Sequence, residues 1–133
     1  MMLNGLNHIT LTVSCLNTSL TFYTELLGFK GEVKWDKGAY LSLGNLWLCL
    51  SLGKPDQKLD YTHIAFSIDK IDLNTFAQKL IKMNISQWQQ NTSEGDSIYF
   101  LDPDGYKLEV HIGDLKDRLK RLKEHPYNKL KWL

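Results

Sequence analysis

Several features that would define a specialised class of protein are scarce in this chain of 133 residues. Two cysteines and three prolines are too few for a disulfide-stapled or collagen-like protein. The formal net charge is +1, so no basic field indicates a nucleic-acid binder. The longest apolar runs are far shorter than the roughly 20 residues that span a bilayer, and the first residues lack the pattern of a secretory signal. We therefore expect a single cytoplasmic domain over residues 1–133, with reduced thiols and with neither nucleic acid nor membrane as a partner.

The most informative feature that is present is an internal repeat. Residues 8–13 and 63–68 both begin with histidine and alternate apolar with polar or small side chains. This alternation is typical of a strand with one buried face. His8 and His63 are therefore expected to lie on the face opposite the aliphatic stripe of their strands.

A helical pattern follows each of these strands. After the first, Asn17 or Thr18 can cap a helix that stops at Gly28. After the second, Asp72 can cap a helix that stops at Asn84. Each half then continues with three short strands, at residues 29–35, 38–43 and 45–51 and at residues 85–90, 97–101 and 106–112. The unit is therefore β-α-β-β-β, written twice.

The end of the second half adds two further local signals. Asp102-Pro103-Asp104-Gly105 fits a type I turn, and residues 114–124 carry a helical stripe. We place module one at about 5–52, module two at about 59–113 and a C-terminal helix at about 114–124. The predicted fold class is α+β, with the paired modules forming a curled sheet around a cleft.

The polar faces of three strands supply candidate metal ligands. His8 and His63 occupy matching repeat positions, and Glu109 and His111 lie opposite the aliphatic face of the last strand. Two imidazoles and one carboxylate would leave coordination positions open for a substrate on manganese, iron or a similar ion. Any one of these residues alone fits a solvated sheet face equally well. Spacing alone does not choose Glu109 over His111.

Longer stretches carry a resemblance to a known family. They are Leu6–Leu11, Phe22–Phe29, Trp35–Leu41, Leu46–Ser51, Asp60–His63, Asn91–Ser97 and Tyr99–Gly105 with Leu108-Glu109. With these residues the chain resembles the vicinal oxygen chelate superfamily. Within that superfamily it is similar to the fosfomycin-resistance thiol transferases of the glutathione- and manganese-dependent type. The resemblance covers nearly the whole chain.

The resemblance implies a metal centre and a reaction. His8, His63 and Glu109 match the manganese ligands of the family, and fosfomycin would fill the open positions through its epoxide and one phosphonate oxygen. Thr10 matches the hydroxyl that hydrogen-bonds the oxygen becoming an alkoxide, and Tyr40 matches the residue that orients the thiolate. The implied function is fosfomycin resistance by addition of a thiol, glutathione above all, to the epoxide.

The resemblance also implies substrate and ion contacts. The phosphonate-binding set corresponds to Ser93, Ser97, Tyr99 and Arg118. A loop that binds an activating potassium ion corresponds to Asn91, Ser93, Gly95 and Ser97. The pocket wall corresponds to Trp47, Cys49 and Tyr61. Family members are homodimers that share their sites, so His8 would join His63 and Glu109 of the partner subunit.

Three positions distinguish this chain within the pattern. Gln89 stands where glutathione-using members carry lysine, and Thr92 stands where some carry arginine. Gln89 is thus a candidate contact for the thiol or the phosphonate. Gly38 occupies the position where water-using relatives carry a catalytic glutamate, which favours thiol addition over hydrolysis. Two functions are the alternatives to thiol transfer to fosfomycin. One is that of an extradiol-type dioxygenase, and the other is that of a non-catalytic drug-sequestering protein of the same fold.

Overall fold

The computed structural model describes residues 2–56, 59–90 and 96–133. The chain divides into two compact units. Unit 1 comprises Met1–Thr62 and Leu101–Tyr106, and unit 2 comprises His63–Phe100 and Lys107–Leu133. The single-domain organisation expected for residues 1–133 stays a prediction.

Each unit contains one four-stranded sheet. The strands of unit 1 are β1 (His8–Val13), β2 (Lys30–Trp35), β3 (Gly38–Leu43) and β4 (Leu46–Leu52). Those of unit 2 are β5 (Ile64–Ser67), β6 (Gln87–Gln89), β7 (Ser97–Leu101) and β8 (Lys107–His111). The sheet orders are β1-β4-β3-β2 and β5-β8-β7-β6. Strand β1 pairs in parallel with β4, and strand β5 pairs in parallel with β8. The α+β class and the twofold repeat of one topology are thereby confirmed.

The helices are α1 (Leu16–Thr21), α2 (Lys70–Lys82) and α3 (Leu115–Glu124). Helix α1 continues directly into a π-helical turn, Phe22–Leu26, which buries Phe22, Tyr23 and Leu26. Gly28 follows with φ near 78° and Asn84 follows α2 with φ near 58°, so both predicted stops take the left-handed conformation that ends a helix. Asp114 and Asp117 form a reciprocal capping box at the start of α3, where the sequence predicts a helix.

Four sequence-based boundaries were wrong. The N-cap of α1 is Cys15, because the chain turns as soon as β1 ends and buries Leu16. The hydroxyl of Thr18 instead donates to the Cys15 sulfur. The N-cap of α2 is Asp69, so Asp72 lies in the first turn, where a carboxylate complements the helix dipole. The strand predicted at residues 85–90 is only three residues long, and β5 begins one residue after His63.

A buried polar contact ties the Asp-Pro-Asp-Gly turn to unit 1. The Tyr23 hydroxyl donates to Asp102 Oδ2 over 2.8 Å, and both side chains are buried. Asp102 Oδ1 accepts the backbone N–H groups of Asp104 and Tyr106 at 2.9 Å each. Gly105 N donates to Asp102 O over 3.0 Å, which confirms the predicted turn. Burial raises the pKa of the Asp102 carboxyl and, more strongly, that of the Tyr23 hydroxyl.

None of the helices in the described part of the chain combines the length and the apolar character needed to cross a bilayer. The two cysteines, Cys15 and Cys49, are free thiols, the first exposed and the second buried.

Candidate functional site

An aromatic row crosses the sheet of unit 1. His8 on β1 lies beside Trp47 on β4, with their ring centroids 4.4 Å apart. Tyr40 on β3 lies 5.3 Å from Trp47, and Trp35 at the end of β2 lies 4.8 Å from Tyr40. The three larger rings are each about two-fifths exposed. The row is accessible to a ligand because, along β1, β3 and β4, period-two alternation points these side chains away from the buried leucines of the same strands.

The surroundings of His8 are compatible with metal binding. Its Nδ1 lies 2.6 Å from Asn7 Oδ1, and the tautomer with the proton on Nδ1 would donate a hydrogen bond to that oxygen. The lone pair of Nε2 is then available for coordination. Thr10 is also exposed, two residues along β1 on the same face, and it is in register with Cys49 on β4.

Unit 2 contains a connected polar cluster on its own sheet. Glu109 Oε1 lies 3.0 Å from His63 Nε2, and Glu109 Oε2 accepts a hydrogen bond from Ser97 Oγ over 2.7 Å. Ser97 Oγ also lies 2.6 Å from His111 Nδ1. Ser97 and Glu109 are 4% and 7% exposed. Glu109 is thus the neighbour of His63, and His111 lies 2.6 Å from Ser97 at the start of β7 and 3.4 Å from Glu109 Oε2.

The separation of His63 and Glu109 fits a shared metal ion. Two ligand atoms at adjacent corners of an octahedron lie about 3.0 Å apart when each bond is about 2.1 Å. The observed 3.0 Å between Nε2 and Oε1 is a hydrogen-bond or ion-pair distance, and it is also short enough for the two atoms to share an ion. An imidazole nitrogen and a carboxylate oxygen are suitable donors for manganese or iron. The donor pair of unit 2 therefore fits a divalent cation.

The complete predicted ligand set is divided between the units, with His8 on unit 1 and His63 with Glu109 on unit 2. In the part of the chain that the structure describes, no three His, Cys, Asp or Glu side chains form a group able to hold a metal ion.

Trp88 is a site neighbour that sequence reasoning missed. Its indole N–H donates to the Leu108 carbonyl over 2.9 Å, one residue before Glu109. Its ring centroid lies 5.4 Å from that of His63 and 5.1 Å from that of Tyr99, and Lys107 Nζ lies over the ring. A lone tryptophan within a glutamine-rich strand was the available signal, because so large a ring needs a packing surface.

Arg118 lies on α3 at the edge of a cavity of about 290 Å³, and His111 and Ser67 line the same cavity. Its guanidinium donates to the hydroxyl of Tyr127 over 2.9 Å. Arg118 is half-buried, whereas helix periodicity alone would place it on a solvated face. The cavity therefore brings Arg118 and His111, the cluster residue that lines it, to one surface of unit 2.

The remaining predicted site residues are placed as follows. Tyr99 is buried on β7, Gln89 is half-buried on β6 in register with it, Cys49 is buried on β4, and Tyr61 is exposed in unit 1. Asn91, Thr92, Ser93 and Gly95 lie outside the described residues, so the predicted potassium loop is represented by Ser97 alone.

Comparison with known proteins adds three findings. The sequence model of the glyoxalase/bleomycin resistance protein/dioxygenase superfamily matches residues 5–110. Glutathione transferase FosA of Serratia marcescens is 49% identical over 131 residues, which cover 95% of this chain and 93% of that protein. Metallothiol transferase FosB of Staphylococcus epidermidis is 41% identical over 130 residues, 92% of each chain.

Solved structures show the same relationship. A variant of the fosfomycin resistance protein FosX from Listeria monocytogenes, crystallised with Mn(II) and 1S,2S-dihydroxypropylphosphonic acid, superposes with a TM-score of 0.84. The two sequences are 31% identical, and the match covers 90% of this chain and 98% of that chain.

Proposed function

The chain belongs to the glyoxalase/bleomycin resistance protein/dioxygenase superfamily, and on that premise we propose that it confers fosfomycin resistance as a metal-dependent thiol transferase. It opens the epoxide of fosfomycin with a small thiol, and glutathione is the proposed co-substrate because the 49% identical relative is a glutathione transferase. The observation that carries the proposal is the polar cluster of unit 2, in which a hydrogen-bonded imidazole and carboxylate, His63 and Glu109, lie close enough to bind one ion together.

Mn²⁺ is the proposed metal, held by His8, His63 and Glu109. When bound, it would act as a Lewis acid on the epoxide oxygen. The donor chemistry supports this choice, and so does the Mn(II) in the FosX structure.

The residues of the chain have separate tasks in the proposed reaction. Tyr40 orients the thiolate, whose sulfur forms a bond to an epoxide carbon as the C–O bond breaks. The Thr10 hydroxyl donates a hydrogen bond to the oxygen that receives the electron pair. That oxygen then takes up a proton equivalent to the one the thiol lost, so the net reaction is addition of the thiol.

Recognition of the phosphonate is assigned to hydroxyl donors and one guanidinium. We place the phosphonate near Ser97, Tyr99 and Arg118, with Ser93 as a fourth contact. A guanidinium suits a tetrahedral dianion because it offers paired N–H donors. The cavity shared by Arg118 and His111 supports this position.

We propose potassium as an activator at Asn91, Ser93, Gly95 and Ser97 on the family resemblance alone.

The packing of Gly38 supports addition of a thiol over addition of water. A Cβ atom at this buried position would lie 2.7 Å from the Leu50 carbonyl oxygen and 2.7 Å from the Trp35 ring. A side chain at Gly38 would therefore require β4 or the Trp35 ring to shift, which disfavours the glutamate that water-using relatives carry there.

A thiol panel tests the reaction. Purified protein with Mn²⁺ and fosfomycin is incubated with glutathione, cysteine, bacillithiol or water alone, and the product is identified by mass. The proposal predicts a glutathione adduct and no diol. Binding of fosfomycin without turnover by any thiol would instead indicate a sequestering protein and refute the assignment.

The active unit is proposed to be a homodimer with shared sites. His8 of one subunit would complete the pair formed by the partner subunit's His63 and Glu109. Two observations support this: the ligand set is divided between the units, and β1 and β5 are each the terminal strand of their own sheet. A terminal strand offers unpaired backbone groups to a second copy.

Subunit exchange tests the shared site. His8→Ala and Glu109→Ala variants, each inactive alone, are mixed under conditions that allow exchange. One of the two sites of the hybrid then has a complete ligand set, so activity should return in the mixture. Hybrids that form without activity would refute site sharing.

We also propose a cytoplasmic location, where glutathione is abundant and the free thiols of Cys15 and Cys49 would stay reduced.

A further inference from the structure

Ser97 is held between two side chains of the last strand of unit 2. Its Oγ lies 2.7 Å from Glu109 Oε2 and 2.6 Å from His111 Nδ1. The imidazole nitrogen also lies 3.4 Å from Glu109 Oε2. Ser97 is 4% exposed, so water has little access to replace either partner. We call His111, Ser97 and Glu109 the serine relay.

Counting hydrogens fixes the direction of the relay. A carboxylate only accepts hydrogen bonds, and a serine hydroxyl has one hydrogen to donate. If Ser97 gives that hydrogen to Glu109, its contact with His111 requires that Nδ1 be the donor. The order is then His111 Nδ1–H to Ser97 Oγ, and Ser97 O–H to Glu109 Oε2. Glu109 Oε1 is left facing His63.

From this geometry we propose that His111 is a positioning residue for the metal-binding carboxylate. It fixes the Ser97 hydroxyl, which holds one oxygen of Glu109 so that the other oxygen stays at ligand distance from His63. The inference rests on the proposed function because it takes Glu109 as a metal ligand. Mutation of a residue that hydrogen-bonds a metal ligand typically lowers metal affinity or activity about 10–100-fold.

The relay also affects how Ser97 meets a phosphonate. The single hydrogen of its hydroxyl cannot serve Glu109 and a phosphonate oxygen at the same time. A phosphonate oxygen that accepted this hydrogen would leave Glu109 Oε2 without it, while an N–H of His111 would still hold Oγ in place. His111 therefore positions Ser97 both before and after substrate binds.

Two substitutions separate the donor from the shape of the ring. His111→Phe keeps a planar ring but removes the N–H, whereas His111→Asn places an amide N–H close to the position of Nδ1. Mn²⁺ affinity is measured without substrate by titration, with the EPR signal of the aqueous ion reporting free metal. We expect affinity to fall about 10–100-fold in His111→Phe and to remain within a few-fold of the wild type in His111→Asn.

Thermal unfolding of the metal-free proteins is the structural control, and the two variants should melt within a few degrees of each other. Equal Mn²⁺ affinity in wild type and His111→Phe overturns the proposal, and so do equal losses in both variants. Combination with Ser97→Ala gives an independent check. His111→Phe should cause no further loss when the serine is absent, and additive losses refute the relay.

The outcomes are distinguishable from failure of the proposed function. A wild-type protein that binds Mn²⁺ but adds no thiol to fosfomycin contradicts the function, while the pattern of Mn²⁺ affinities still decides the relay. Conversely, the wild-type protein could form the glutathione adduct while His111→Phe binds Mn²⁺ as tightly as the wild type. That result would refute only the relay.

Discussion

Gly38 offers the sharpest test of the packing in unit 1, through the substitution Gly38→Ala. The added methyl group would meet the Leu50 carbonyl oxygen and the Trp35 ring, each at 2.7 Å. The carbonyl belongs to β4, whose backbone is fixed by its pairing with β3, so it cannot move without disturbing the sheet. The Trp35 ring can move, but it lies edge-on to Tyr40 with centroids 4.8 Å apart.

The expected cost follows from these two contacts. Inserting a methyl group into a well-packed site typically destabilises a protein by about 1–3 kcal/mol. A backbone atom at 2.7 Å places this case toward the upper half of that range. Gly31 is the matched control, because it lies in β2 of the same sheet and a Cβ there would meet no atom within 4 Å. Gly31→Ala should leave stability unchanged or raise it by up to about 1 kcal/mol, since alanine restricts the unfolded chain.

Urea unfolding of wild type and both variants measures the difference. We expect Gly38→Ala to be less stable than Gly31→Ala by at least about 1 kcal/mol. We also expect a raised KM for glutathione in Gly38→Ala, because a displaced Trp35 moves Tyr40. If the two variants unfold at the same urea concentration, the close packing around Gly38 is wrong, and the argument against a side chain at this position is lost.

Four further predictions concern single side chains. Glu109→Gln should lower Mn²⁺ affinity and turnover together, because a neutral amide replaces an anionic ligand of a hard cation; unchanged metal titration would move the carboxylate role elsewhere. Ser19→Ala should match or exceed wild-type stability by up to about 1 kcal/mol in urea unfolding, since the buried Ser19 hydroxyl has no hydrogen-bond partner in the described chain; a clear loss would show that the hydroxyl is satisfied. Burial raises the pKa of Asp102, so its protonated form favours folding at low pH, and that contribution is lost as the pH rises through the folded pKa. The stability of the wild type relative to Asp102→Asn should therefore fall with rising pH, and a difference that is constant or rises would contradict the burial argument. Gln89→Lys should lower the KM for fosfomycin or glutathione by up to about tenfold, because a charged hydrogen bond replaces a neutral one; if neither KM changes, residue 89 does not face the pocket.

The local patterns of the sequence determined the repeated topology. Alternation at residues 8–13 and 63–68 predicted two strands that start the two sheets, and the structure places β1 and β5 there. The Asp102-Pro103-Asp104-Gly105 turn and the helix at 114–124 are also local signals, and both formed as predicted. Such signals are readable because strand faces, turns and helix ends depend on residues within a few positions of each other.

Contacts between distant residues decided the rest. Tyr23 and Asp102 are 79 residues apart, yet their hydrogen bond joins the turn to unit 1. Helix α1 has its N-cap at Cys15, which is earlier than Asn17 or Thr18, and it continues into the π-helical turn. This arrangement buries Leu16 and Tyr23, and that burial overrides the capping preference of Asn17 and Thr18.

For the candidate site, the sequence supplied the donors but not their arrangement. Strand alternation offered Glu109 and His111 as equals, and only the family resemblance selected Glu109. In the structure Glu109 lies 3.0 Å from His63, and His111 lies 2.6 Å from Ser97 and 3.4 Å from Glu109. The lone Trp88 indicated only that a packing surface was needed, and its position beside His63 and Tyr99 came from the tertiary structure. Alternation determines which face of a strand a side chain occupies, but only the pairing and register of the strands bring particular atoms within hydrogen-bonding distance.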